Sequence, residues 1–442
     1  MAGIDSALSG LTVRGRCLLA AGIAATVCAA VLREVNLLRV GIFLFVVPLL
    51  SYGMVARTRY RLTCTRRLDP VRVNAGNAAQ VRLRLQNVSR LPTGVMLAED
   101  TVPYMLGGRP RFVLDRVLPQ RAVEVDYSVR SQVRGRFRIG PLTVRLTDPF
   151  GLCELTRSFS AADLLVVTPQ VISLPPVRLG GDWAGAGESR ARSVATAGED
   201  DTATREYRQG DDLRRIHWRS TARRGELMVR REEQPWQSRA ALLLDCRGSA
   251  HHGDGPASSL EWAISAAASI GLHLANAGFT MRVVGDAGEE LAAGAVGAEA
   301  FDNLLLDDLA VRTASGASGV LAGITALRRG GGEELTVAVL APLDSEDVQA
   351  LARATQGGPS VGVALVLDTA TWTALAPRAA ERVRQDYQKT CDVLAASGWR
   401  VLPIQAGTRL ADVWPAAGAT QTAGLGRQQL NASALTPTGS SS

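Results

Sequence analysis

The chain is nearly without lysine. Of its 49 basic residues only Lys389 is not arginine, and aromatic residues make up 5% of the 442 positions. An arginine excess of this kind follows most simply from a GC-rich genome. The six cysteines, at 17, 28, 64, 153, 246 and 391, form no CxxC pair. That spacing argues against a disulfide framework or a zinc site and suits free thiols in a reducing compartment. There is no GxGxxG, no GxxxxGK[ST] and no GxSxG, so dinucleotide, P-loop and nucleophile-elbow readings have no motif behind them.

What is present begins with two apolar runs. Cys17–Leu32 carries no charge, and a second run spans Val40–Ala56 after the link Arg33–Arg39. Each is short for a bilayer core of about 30 Å, yet long enough to cross it. Arg14 and Arg16 precede the first run; Arg57, Arg59, Arg61, Arg66 and Arg67 follow the second. The positive-inside rule puts both ends in the cytoplasm. A cleaved signal peptide fits less well, because a second apolar run follows directly and no Ala-x-Ala site precedes a polar start. The net charge of +7 permits anionic lipid or nucleic acid as partner. Much of the excess lies beside the apolar runs, which favours lipid.

From about 60 to 170 the hydrophobic period becomes two. Val81–Leu85, Val123–Val129 and Leu142–Leu146 alternate, and Asn74–Asn77, Pro92–Gly94, Gly107-Gly108 and Arg134-Gly135 supply turns. Many short strands at this spacing predict an antiparallel β-sandwich. Its out-facing arginines read as a solvated face, and Asp148–Leu152 reads as a turn locking a hairpin.

Residues 171–235 read as a linker, loose over 180–204, ending in an unusual stretch. Arg205–Glu233 holds nine arginines and six acids. Asp211 or Asp212 is placed to cap a helix running to Arg224, with Gly225 as its stop and a short strand over Leu227–Arg231. Interleaved acids favour internal ion pairs over phosphate binding. His217, with no second His, Cys or Ser at a usable spacing, reads as structural.

Beyond, over 236–416, short apolar runs at Ala240–Asp245, Thr280–Val284, Leu335–Leu340, Val361–Leu367 and Arg400–Ile404 alternate with helical stretches. Such a pattern predicts a doubly wound α/β sheet with Asp245, Ser249, Asp344 and Asp368 on its ligand-bearing rim. The segment 417–442 reads as a disordered tail.

The order of the middle stretch carries a resemblance. Arg205-Glu206-Tyr207-x-x-Gly210-Asp211 followed by Arg215-Ile216-His217-Trp218-x-Ser220-x-Ala222-Arg223 resembles the signature of the bacterial family called domain of unknown function 58. Arg134-Gly135-x-x-x-Ile139-Gly140-Pro141 and Asp148–Leu152 are also similar to that family. The resemblance implies a membrane hairpin (17–56) behind a cytosolic tail (1–16), a β-sandwich, the signature, then a fold like the von Willebrand factor A domain. It implies as partners a MoxR-type AAA+ ATPase and a transglutaminase-like membrane protein.

A-domain relatives often hold a divalent metal through Asp-x-Ser-x-Ser. Here Asp245 and Ser249 fit, but Arg247 stands at the first Ser and would compete with the cation, so no cofactor is expected beyond that degenerate site. The expected function is a non-enzymatic plasma-membrane adaptor whose signature residues form a docking surface. The alternatives are a metal-dependent hydrolase or transferase on the α/β rim, and a nucleic-acid-binding membrane protein.

Overall fold

The computed structural model describes residues 10–57, 62–90, 92–148, 150–177, 204–207, 216, 218–230, 238–294, 298–330, 334–355 and 360–418. They fall into two compact units, 1–170 and 171–442.

The first unit opens with helices α1 (Val13–Leu32) and α2 (Val35–Arg57). At 1.5 Å per residue they run about 30 and 34 Å, longer than the uncharged runs because both extend into their flanking polar residues. Both are long and apolar enough to cross a membrane by length and composition. They pair through small residues. A Cβ on Gly22 would stand 2.7 Å from the Phe45 backbone, and one on Gly41 2.6 Å from Thr26 Oγ1. Thr26 donates its hydroxyl to Gly22 O at 2.7 Å. Close backbone approach of this kind is how helices associate where no hydrophobic effect drives them together. Arg33, in the left-handed region at φ 53°, makes the tight turn.

The sandwich follows. One face is the sheet β1 (Leu62–Asp69), β3 (Ala78–Asn87), β6 (Ala122–Arg130), in that order. Opposite lie β5 (Arg111–Leu114), β4 (Met96–Asp100), β8 (Leu142–Thr147), β9 (Glu154–Phe159), and a smaller sheet β2 (Arg72–Asn74), β10 (Asp163–Thr168), β7 (Gly135–Ile139). Pairings are antiparallel except β2 with β10. In β3 every second residue is buried, so Val81, Leu83 and Leu85 face the core. Its exposed partners Arg82 and Arg84 stand opposite Asp126 and Glu124 across the pair, with ion contacts of 3.1 and 3.5 Å. The arginine face is therefore answered by acids on the next strand.

Inside, Asp100 is fully buried and accepts from Arg66 Nη2 at 2.7 Å, Arg66 Nε at 3.2 Å and the Tyr127 hydroxyl at 2.6 Å. Burial and the Asp100 charge push the Tyr127 phenol far above its ordinary pKa. Gly140, at φ 108°, leaves room for this arginine: a Cβ there would lie 2.9 Å from its guanidinium.

The turn between β8 and β9 is stapled by Asp148, whose carboxylate accepts from Cys153 N at 2.6 Å and Phe150 N at 3.2 Å. The chain just before α1 adds onto this turn. Thr12 N donates to Leu152 O at 2.9 Å, Glu154 N to Gly10 O at 2.9 Å, and Leu11 bridges Cys153. Thr12 also caps α1, its hydroxyl accepting from Gly15 N at 3.2 Å and donating to Gly151 O at 2.7 Å. The entry to the hairpin is thus tied to the sandwich by main chain.

The second unit is built on a six-stranded sheet in the order β15 (Glu290–Ala293), β14 (Thr280–Gly285), β13 (Arg239–Leu244), β16 (Leu335–Leu340), β17 (Val361–Leu367), β18 (Arg400–Ile404). All are parallel save the edge strand β15. The central strands are buried on both faces, which is why they read as continuous apolar runs. Helices α4 (Ser259–Asn276), α5 (Ala298–Val311), α6 (Leu321–Gly330), α7 (Ser345–Ala352), α8 (Pro377–Ala396) and α9 (Leu410–Val413) join the strands or follow the last.

Val171–Val177 already pack on this core, with Leu174 buried and Ile172 N bonded to Ser269 Oγ at 2.9 Å. At the other end, Ala417 is fully buried and its carbonyl accepts from Arg400 at 2.6 Å. Residues 178–203 and 419–442 lie outside the described residues.

Candidate functional site: the signature clip and the switch-point rim

Two halves of the signature meet on one strand. β12 (Met228–Arg230) pairs antiparallel with β11 (Thr204–Glu206), Arg205 opposite Val229 and Glu206 opposite Met228. Ile216 bridges the same Val229. Between them runs α3 (Trp218–Arg224), closed by Gly225 at φ 76° with its N–H on Thr221 O. Thr221 Oγ1 then accepts from Met228 N at 3.0 Å, folding the strand back on the helix.

The described helix runs from Trp218, and Ile216 just before it is engaged in an extended bridge; Asp211 and Asp212, expected to cap it, lie outside the described residues. Trp218 is 68% exposed. Arg223 and Arg224 are exposed and Tyr207 half-buried. Ser220 sits within the helix and Arg205 within the strand. Gly210, Asp211, Arg215 and His217 lie outside the described residues.

The sheet reverses its winding between β13 and β16, where ligands of open α/β sheets bind. Asp245 follows β13 there, fully buried. Its Oδ1 accepts from Arg247 N at 3.0 Å and Nε at 2.9 Å; its Oδ2 accepts from Arg247 Nη2 at 2.8 Å and Ala341 N at 3.1 Å. Arg247 is itself buried and bonds Pro342 O at 3.0 Å. Burial opposes its charge, but Asp245 first, then Asp347 and Asp344, hold its pKa above the ordinary value.

A divalent cation does not fit this arrangement: both carboxylate oxygens are engaged and a guanidinium stands against them. Ser249 is exposed in the turn beyond. Among the described residues no cluster of three or more His, Cys, Asp or Glu side chains is placed to hold a metal.

Other reactive groups on the rim are tied down as well. His251, which the sequence reading passed over, has Nε2 2.9 Å from Asp245 O and Nδ1 3.0 Å from Ser259 Oγ. A carbonyl can only accept, so Nε2 carries the proton and Nδ1 accepts from the serine. Ser259 Oγ in turn accepts from His252 N at 2.9 Å. Burial lowers the His251 pKa, keeping the ring neutral. Burial, with Asp286 and Asp245 nearby, pushes the Cys246 thiol far up, so it is no thiolate nucleophile. Asp286, after β14, is fully buried and accepts from the Ser315 hydroxyl. Asp344 caps α7, accepting from Glu346 N and Asp347 N. Asp368 is buried after β17, where burial raises its pKa.

A hairpin of apolar helices, a sandwich and a mixed α/β sheet preceded by a strand–helix–strand clip define the class of protein. Residues 203–371 match the family described as Protein of unknown function DUF58, so the chain contains a domain of that family. It is also similar to a Bacillus subtilis (strain 168) protein named Uncharacterized protein YeaD, 27% identical over 217 residues. That match covers 46% of this chain and 53% of the relative, about half its length.

Among solved structures, the CARDB domain of the PF1109 protein from Pyrococcus furiosus is 14% identical over 24% of this chain and 93% of its own, with a TM-score of 0.19. The putative ApaA protein from Bordetella pertussis is 16% identical over 24% and 94%, with a TM-score of 0.20. At these TM-scores the likeness says nothing further of fold or function.

Proposed function

We propose that this chain is a membrane-anchored adaptor, not an enzyme, which docks a cytosolic MoxR-type AAA+ ATPase in the assembly or maturation of a cell-envelope or other protein complex. The observation that carries the reading is Trp218, an indole left 68% exposed on a short helix whose other end presents Arg223 and Arg224. Exposed Trp and Arg are the residues that anchor protein interfaces. The rim supports it from the other side. Its aspartate, histidine and cysteine are held by neighbours in forms that neither attack a substrate nor relay a proton. Arg14 and Arg16 in the first turn of α1 and the arginines at and after the end of α2 favour a plasma-membrane hairpin with both ends and both soluble parts in the cytoplasm. The ATPase, and a transglutaminase-like membrane protein beside it, are the partners that the family resemblance suggests.

Purification of the full chain from native membranes tests the reading. The ATPase should come with the wild type and be lost from Trp218→Ala combined with Arg223→Ala. Unchanged recovery overturns the docking role. Turnover of a small molecule by the purified chain, abolished in Asp245→Asn, overturns the non-enzymatic one.

A further inference from the structure

The Asp148–Leu152 turn does more than close a hairpin. Beside it, within the first unit, lies a cavity of about 560 Å³ lined by Leu18 of α1, Phe43, Val47, Leu50 and Ser51 of α2, and Phe150 and Leu152 of the turn. The volume is that of a small-molecule site, roughly 300–1,000 Å³. Apart from Ser51 the lining side chains are all apolar. Phe43, Val47 and Leu50 form one stripe at i, i+4, i+7, so the wall runs about 10 Å along α2. Phe150 remains 69% exposed although Asp148 holds its backbone.

We infer that this cavity seats one acyl chain of an anionic phospholipid drawn from the leaflet next to the sandwich. Three observations favour that occupant. Phe43 and Leu50 of the wall are themselves each 67% exposed, as lipid-facing side chains are. The wall follows the helix direction, which is the direction of a lipid tail. Exposed Arg14 lies one turn before Leu18, at i and i+4, so a cation stands on the same helix face as the apolar wall, where the phosphate of a seated lipid would be.

The inference rests on the membrane-anchor reading, and the two are separated by experiment. Resistance of the full chain to alkaline carbonate extraction reports the anchor. The seat is read by native mass spectrometry of the full chain released from nanodiscs containing equal phosphatidylglycerol and phosphatidylcholine. Wild type should retain one phosphatidylglycerol per chain. Val47→Trp, which fills the cavity, should reduce retention about ten-fold, the factor for losing burial of some two methylenes. Phe150→Ser, outside the helices, should weaken it in the same direction without disturbing helix packing. Arg14→Gln should abolish the preference for phosphatidylglycerol, and Leu49→Trp, on another face, should change nothing. Equal retention by wild type, Val47→Trp and Phe150→Ser overturns the seat while leaving the anchor intact. So does a wild-type dimer that Val47→Trp dissociates, which would mean that a second copy fills the cavity.

Discussion

The guanidinium of Arg247 lies along both carboxylate oxygens of Asp245, two residues earlier, with contacts of 2.9 and 2.8 Å. Both side chains are all but closed to solvent. Arg247→Ala strands a buried carboxylate and should cost about 3–5 kcal/mol. The double variant Asp245→Asn, Arg247→Met removes both charges and should cost much less. Thermal melts of the full chain in detergent compare them, and a double variant worse than Arg247→Ala would refute the pairing as the cause.

Gly140 shares its space with the Arg66 guanidinium. Gly140→Ala would set a Cβ 2.8 Å from Ala161 O and 2.9 Å from Arg66 at a backbone angle that L-residues avoid. The expected loss is more than about 1 kcal/mol. Gly94→Ala, whose Cβ would meet only Thr147 O at 3.9 Å, is the matched control, and denaturant midpoints of the two variants should differ clearly.

Acid should weaken the second unit through its histidines. Burial lowers the pKa of His251 and of His273 from 6.5 in the folded chain. As pH falls through that value the unfolded chain takes up protons first, so stability is full above it and declines below it, down to the folded-state pKa values. Asp347 and Asp368 act with the opposite sign. Their pKa values are raised by burial from 3.8, so the folded chain keeps their protons longer and loses that stability as pH rises through its own pKa values. The slope of the melting midpoint between about pH 7 and 5.5 should shrink in His251→Asn. An unchanged slope would assign the protons elsewhere.

Helix pairing should fail at glycine. Gly22→Leu drives a side chain into the Phe45 backbone, whereas Gly53→Ala meets nothing within 4 Å. Size-exclusion profiles after mild heating in detergent should show the first variant aggregated and the second like wild type.

Much of this was legible in the sequence, and the exceptions have physical causes. Strands buried on both faces announce themselves as apolar runs, so β16 and β17 were read to the residue. The edge strand β15, only Glu290–Ala293, is too short and too mixed to show a period. The pairing of Ile216 with Val229, thirteen residues on, leaves no local signal in the sequence. Asp245 and Arg247 are two residues apart and their opposition could be foreseen. The contact of Arg66 with Asp100 joins strands 34 residues apart, and neither residue alone signals it. His251 was missed because its partners are a carbonyl and a serine, which leave no motif.

Gly10 and Glu154 share a hydrogen bond across the hairpin and most of the sandwich. Chain that far apart can meet only if both stretches lie in the same compartment, so a bilayer crossed by α1 must be crossed back by α2, whatever the flanking charges prefer. It also sets an order of events during synthesis. Residues 10–12 find their partners only once the turn before β9 has been made, so this edge of the sandwich closes on chain that was synthesised before the hairpin.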